Sequence, residues 1–142
     1  MNKDEIFQAI SKNPVFFLGT IDGDQPRVRG MLLYKADENG IIFHTAESKD
    51  LYKQVLKNPN AELCFNCNGT QIRITGKLKI VDDNDLKDEI CNHPSRKFLA
   101  QWKEDGSFKN IYEDLIVFSL EHGSIVTWTM ADNFAKKSPI LF

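Results

Sequence analysis

The sequence predicts a mainly β chain with flanking helices, an α+β protein built on a small antiparallel barrel. Three observations predict it. Short β-rich runs recur at close spacing through the 142 residues, divided by the turn signals Asp22-Gly23-Asp24, Asp37-Glu38-Asn39-Gly40 and Asn66-Cys67-Asn68-Gly69-Thr70. Helical candidates are few and brief, which disfavours alternating strand–helix units. A strand carrying Arg27 and Arg29 on one face is followed by a strand that runs into a helix at Ser48-Lys49. That last pairing also bears on function, because a helix start with unpaired N–H groups, flanked by cations, suits a phosphate.

The elements follow in order. Lys3 to Ile10 has apolar positions at 6, 7 and 10, one helical face, and Asn13-Pro14 ends it. Val15 to Ile21 is a β-rich run that turns into the arginine strand. Ile41 to Thr45 is the next strand, and Ser48 is the expected cap of a helix whose Leu51, Tyr52, Val55 and Leu56 face inward. Asn58-Pro59-Asn60 stops that helix. Ala61 to Cys67 and Gln71 to Val81 are strands, the second alternating Arg73 and Thr75 against Ile72 and Ile74, with Gly76 as a candidate bulge. Asp82 to Cys91 and Pro94 to Trp102 are short helical candidates. Glu113 to Leu120 and Ser124 to Met130 are expected to form a final hairpin. No repeat or linker interrupts the chain, so residues 1–142 are expected to be one domain.

Composition excludes several classes. A formal net charge of −2 gives no general field for nucleic acid. No apolar run approaches the roughly 20 residues that cross a bilayer. Met1 to Glu5 lacks the basic and apolar regions of a secretory signal, so a cytoplasmic location is expected. Cys64 and Cys67 have the C-x-x-C spacing, but on a strand residues three apart point to opposite faces, so the thiols diverge and no metal or redox role is expected. No P-loop, G-x-S-x-G or H-E-x-x-H motif is present. The absence of a nucleophile–base set suits a protein whose chemistry is carried by a cofactor.

Phe17-Leu18-Gly19-Thr20, Gln25-Pro26-Arg27-Val28-Arg29, Ile42 to Pro59 and Gln71 to Lys77 together resemble the pyridoxamine 5′-phosphate oxidase-like superfamily, the FMN-binding split barrels, and within it the branch of nitroimidazole-resistance reductases. The resemblance covers about the first 80 residues, with the rest matched only in element order. It implies an FMN-binding split β-barrel. Arg29, Gly30, Met31 and Leu32 would lie along the flavin edge. Thr45, Ser48 and Lys49 would hold the phosphate with Arg29, beside His44, and Gln71 would stand near the ring. It further implies a homodimer with FMN at the interface, and an oxidoreductase passing electrons from a reduced donor, such as NAD(P)H, to a small-molecule substrate. The family oxidase's arginine–lysine phosphate pair and its C-terminal tryptophan and arginine have no match here, so pyridoxamine phosphate oxidation is not expected. A non-catalytic flavin- or haem-binding sensor built on the same barrel is the alternative. Plainer readings stand beside these assignments: Arg27 and Arg29 as solvated charges, Ser48 as an N-cap, His44 as a packed histidine, Trp102 and Trp128 as core or interface aromatics.

Overall fold

Local signals set the first elements of the computed structural model, which describes residues 1–142. Helix α1 (Lys3–Lys12) starts at Asn2, whose Oδ1 accepts from the Glu5 N–H at 2.9 Å while Glu5 Oε1 accepts from the Asn2 N–H at 3.1 Å. Reciprocal capping of this kind stabilises a helix start by about 1 kcal/mol. The helix buries Ile6, Phe7 and Ile10. Strands β1 (Val15–Asp22) and β2 (Gln25–Leu32) form a hairpin across Gly23-Asp24, where Gly23 takes φ +65°. β3 (Lys35–Asp37) and β4 (Gly40–Ala46) follow, then α2 (Asp50–Lys57). β5 (Asn60–Cys67) and β6 (Thr70–Lys77) pair across Asn68-Gly69, both left-handed as a type I′ turn requires.

The chain then adds β7 (Lys79–Ile80), α3 (Asn84–Asn92), a single 3₁₀ turn (Pro94–Arg96), α4 (Lys97–Glu104) and the short α5 (Ile111–Asp114). It ends with β8 (Leu115–Leu120), β9 (Gly123–Trp128) and β10 (Ile140–Leu141). All pairings are antiparallel. They make a six-stranded sheet, β10-β9-β6-β5-β1-β2, and a four-stranded sheet, β3-β4-β8-β7. The inner faces share one core that includes Phe16, Leu18, Phe43, Phe65 and Phe118. Phe16 stacks on Phe65 at 4.7 Å and meets Phe43 edge-on at 5.1 Å. This is the antiparallel split barrel that the sequence predicts, with helices flanking it.

Three expectations are corrected. The run from 71 to 81 is two strands: β6 ends at Lys77 and the chain crosses to the other sheet as β7. Gly76 is not a bulge, because its pairing with Ala61 and Gly123 is regular. It is a close approach: a Cβ there would stand 2.6 Å from Leu120 Cδ1 and 2.7 Å from the His122 carbonyl oxygen. The final two strands do not pair with each other. β8 joins β4 and β7, whereas β9 joins β6 and β10, so Glu121-His122 is a crossing between sheets. A Cβ on Gly123 would sit 2.4 Å from the Thr75 carbonyl oxygen, so both crossings run where only glycine lets the sheets approach.

Two smaller expectations also change. Lys49, not Ser48, occupies the N-cap of α2, with no side-chain cap bond. Leu51 and Val55 face the core with Gln54 between them, but Leu56 is exposed. Leu56 follows Val55 by one residue, about 100° around the helix and off the buried stripe.

Candidate functional site

The open end of the molecule lies along β2. That strand is an edge of its sheet, so one side of its backbone has no strand partner. The Leu33 N–H donates to the Pro14 carbonyl at 2.8 Å, toward β1. Alternation along an antiparallel ladder then turns the backbone groups of Gly30 and Val28 outward. Pro26 shares that outward parity, which suits a residue with no N–H to give. A cleft of about 1310 Å³ opens against this edge. Gly30, Met31 and Leu32 line it, facing His44, Thr45 and Ala46 at the end of β4 and Lys49 at the start of α2.

Gly30 has no internal reason to be glycine. A Cβ there would meet nothing nearer than Phe17 Cε1 at 3.9 Å, an ordinary contact. The strand can therefore carry a side chain, and the bare backbone benefits whatever approaches from the cleft.

Arg29 sets the charge. Its Nη1 donates to Thr20 Oγ1 at 2.6 Å and its Nη2 to Gln54 Oε1 at 2.6 Å, and the Thr20 hydroxyl donates to the same Gln54 oxygen at 2.7 Å. Thr20 and Gln54 are buried, on β1 and α2. The guanidinium is thus aimed by neutral acceptors. Burial, and then the neighbouring Arg27 charge, pull its pKa below the ordinary value, but a guanidinium keeps its proton in proteins. An aimed cation without a carboxylate is ready for an anionic ligand. Arg27, on the same strand face, is instead half exposed and paired with Asp22 at 3.2 Å.

Arg96 sets the opposite wall. It is 1% exposed, the largest fully buried side chain in the protein. Its Nε donates to His44 Nε2 at 2.8 Å, and its Nη2 donates to the carbonyls of Leu33 at 3.0 Å and Leu32 at 3.3 Å. The rings of Tyr34 and Phe98 lie 5.3 and 5.9 Å from its guanidinium carbon. His44 is therefore a neutral acceptor: burial first, and the Arg96 charge second, lower its pKa to about 4. It offers no free base at neutral pH. Beyond it Phe98, Trp102 and Phe108 form an aromatic wall, with Phe98 and Trp102 at 4.9 Å and Trp102 and Phe108 at 5.7 Å.

The cleft collects Arg29, Gly30, Met31, Leu32, His44, Thr45 and Lys49 of the residues singled out in the sequence. Ser48 is exposed beside it and does not line it. Gln71 lies on β6, separated from β2 by two strands, and does not reach this cleft within one chain. Trp102, read as a core or interface aromatic, stands in the cleft wall. Sequence reasoning missed Thr20, Gln54 and Arg96. Gln54 carried a signal, being a polar residue on the apolar stripe of α2. Arg96 follows a turn and carried none.

A family model described as pyridoxamine 5′-phosphate oxidase matches residues 3–126, and the chain belongs to that family. A pyridoxine/pyridoxamine 5′-phosphate oxidase of Agrobacterium fabrum is 26% identical over 103 residues, covering 70% of this chain and 50% of that protein. The chain thus spans about half the length of such relatives. Among solved structures, a NimC/NimA family protein of Clostridium acetobutylicum superimposes with a TM-score of 0.74 at 20% identity, over 98% of this chain and 92% of the other. A pyridoxamine 5′-phosphate oxidase-related, FMN-binding protein of Nostoc punctiforme gives 0.65 at 16% identity, over 99% and 95%. These likenesses establish the fold.

Proposed function

We propose that the chain is an FMN-binding flavoprotein that acts as an oxidoreductase on a small molecule. The observation that carries this reading is an aimed, unneutralised Arg29 beside a free strand edge whose Gly30 is bare for no internal reason. Arg29, Lys49 and the first N–H groups of α2 would hold the phosphate, with Thr45 at the strand end beside them. The outward backbone of β2 at Gly30 would hydrogen-bond the edge of the flat ring, with Met31 and Leu32 flanking it. The family and the FMN-binding structural relative support this assignment. Bound flavin supplies hydride and electron transfer, which the residues of the cleft cannot.

What this chain contributes is position and exclusion. His44 is locked to Arg96 through Nε2 and stays uncharged near neutral pH, so it brings no imidazolium acid to the cleft. Phe98, Trp102 and Phe108 keep water from one side of the cleft. The same features also suit a binding or sensing protein without turnover. An absorbance spectrum of fresh protein tests the first claim: the two visible bands of oxidised flavin support it, a Soret band points to haem, and an uncoloured protein that takes up no added FMN refutes it. Bleaching of those bands by NADPH or NADH then separates an oxidoreductase from a sensor.

A second subunit would complete the site. β1 and β2 turn Val15, Phe17 and Val28 to the outer face of the sheet, 63%, 58% and 69% exposed, directly beside Gly30. Three large apolar side chains in one patch mark an interaction surface, and a homodimer with flavin between the subunits covers it.

A further inference from the structure

Lys49, Lys53 and Lys57 all line the cleft, four residues apart on α2. Such spacing keeps them on one helix face, with about 6 Å of rise between neighbours and about 12 Å from first to last. All three are exposed, and none forms an ion pair. Lys57 suits the helix dipole at the last turn, but Lys49 at the helix start opposes it and like charges four apart repel, so the row as a whole works against the helix. With Arg27 and Arg29 opposite, the cleft holds five cations against Asp22 and Asp50, in a chain whose net charge is −2. A phosphate monoester held at the start of α2 would engage Lys49. It leaves Lys53 and Lys57 one and two helical turns farther along.

We propose that Lys53 and Lys57 form a second anion subsite continuous with the flavin phosphate site, and that it takes the additional phosphate of a dinucleotide. The proposal rests on the flavin reading for its first phosphate. The additional phosphate has two chemical sources: the diphosphate of FAD held in place of FMN, or a phosphate of a nicotinamide dinucleotide that serves as donor. Both present a phosphate ester within reach of a row this long.

The test compares the wild-type chain with the double variant Lys53→Glu and Lys57→Glu, using calorimetric titration with FMN, with FAD and with 2′,5′-ADP, a redox-silent mimic of the donor's phosphates. If FAD is the source, wild-type protein binds FAD more tightly than FMN, and the variant loses about tenfold or more of its FAD affinity while keeping FMN. If the donor is the source, FMN-loaded protein binds 2′,5′-ADP and the variant loses that binding by a similar factor. The subsite is overturned if wild-type protein shows neither property, or if the variant retains both. It is equally overturned if the only change is a weaker dimer in sedimentation, because Lys53 and Lys57 would then face a partner subunit. Titrating 2′,5′-ADP into flavin-free protein keeps the two readings apart: binding there, with no flavin uptake, refutes the flavin site and leaves the subsite standing. Neutral Lys53→Gln and Lys57→Gln changes with an unchanged melting temperature exclude misfolding as the cause.

Discussion

At the residue scale, the two strand arginines differ in what holds them. Arg27 is spent on an exposed pair with Asp22, the kind worth roughly 0–1 kcal/mol, while Arg29 is aimed by Thr20 and Gln54 with no acid near it. Arg29→Ala is therefore expected to weaken FMN binding more than Arg27→Ala, in a titration of flavin fluorescence; the reverse order would remove Arg29 from the phosphate. Lys49→Ala should weaken FMN binding by about 1.5–3 kcal/mol, the range for a hydrogen bond to a charged group, and should affect riboflavin far less. Equal losses for both ligands would place Lys49 away from the phosphate. Gly30→Ala isolates the ring edge. The chain accommodates the added methyl, so its melting temperature should hold while flavin retention falls. Arginines on one strand face and a lysine at a helix start were legible in the sequence because spacing alone puts them there. The network of Thr20, Gln54 and Arg96 was not, since each side chain bonds a group at least nine positions away in the sequence, up to 64 for the Leu32 carbonyl, and only the fold brings those partners together.

At the element scale, the 3₁₀ turn and α4 are held to the barrel through Arg96 and His44. The His44 pKa in the folded chain is about 4, against 6.5 ordinarily, so between those values the unfolded chain binds more protons. Stability is then full above about pH 6.5 and declines as pH falls toward 4. A tenfold difference in proton affinity between the folded and unfolded chain is worth about 1.36 kcal/mol, so the imidazole contributes about 2 kcal/mol over this window once residual solvent access is allowed for. Urea titrations at several pH values should show the decline, and His44→Asn should flatten it. A wild-type curve that is already flat would show that His44 titrates normally. Strand β5 offers a different check. Cys67 is buried and Cys64 turns to the opposite face, and burial raises both thiol pKa values, so little thiolate forms. Replacing both by serine should leave flavin reduction intact at some expense in stability. The strands were legible from alternation and turn residues. The crossings at Gly76 and Gly123 were not, because alternation continues unbroken while the chain changes sheets. Gly76→Ala is expected to destabilise by roughly 1–3 kcal/mol, the overpacking range, since the His122 carbonyl must move aside.

At the scale of the whole molecule, one chain leaves the proposed flavin site open. The cleft is walled by β2, the end of β4, α2 and the aromatics of α4, but the free edge of β2 faces outward. Val15, Phe17 and Val28 stand on the outer sheet face beside that edge, and Phe134, 97% exposed, projects from the C-terminal segment. Ile125 on β9 is buried in the core at 1% exposure and cannot contribute to an interface. A partner subunit would instead meet the outward side chains of β1 and β2, which alternate with the core residues Phe16 and Leu18. Fully burying a side chain of this size is worth about 1.5–3 kcal/mol, and covering the exposed parts of these three would favour association while leaving the fold of each chain intact. Phe17→Glu places a charge in the middle of the patch without touching the core. It should convert a dimer to a monomer in sedimentation at micromolar concentration, and flavin affinity should fall with it, because a site shared by two subunits couples the two equilibria. FMN should accordingly raise the melting temperature and suppress dissociation together. A wild-type monomer that still binds FMN tightly would confine the whole site to one chain and leave the apolar face to some other role.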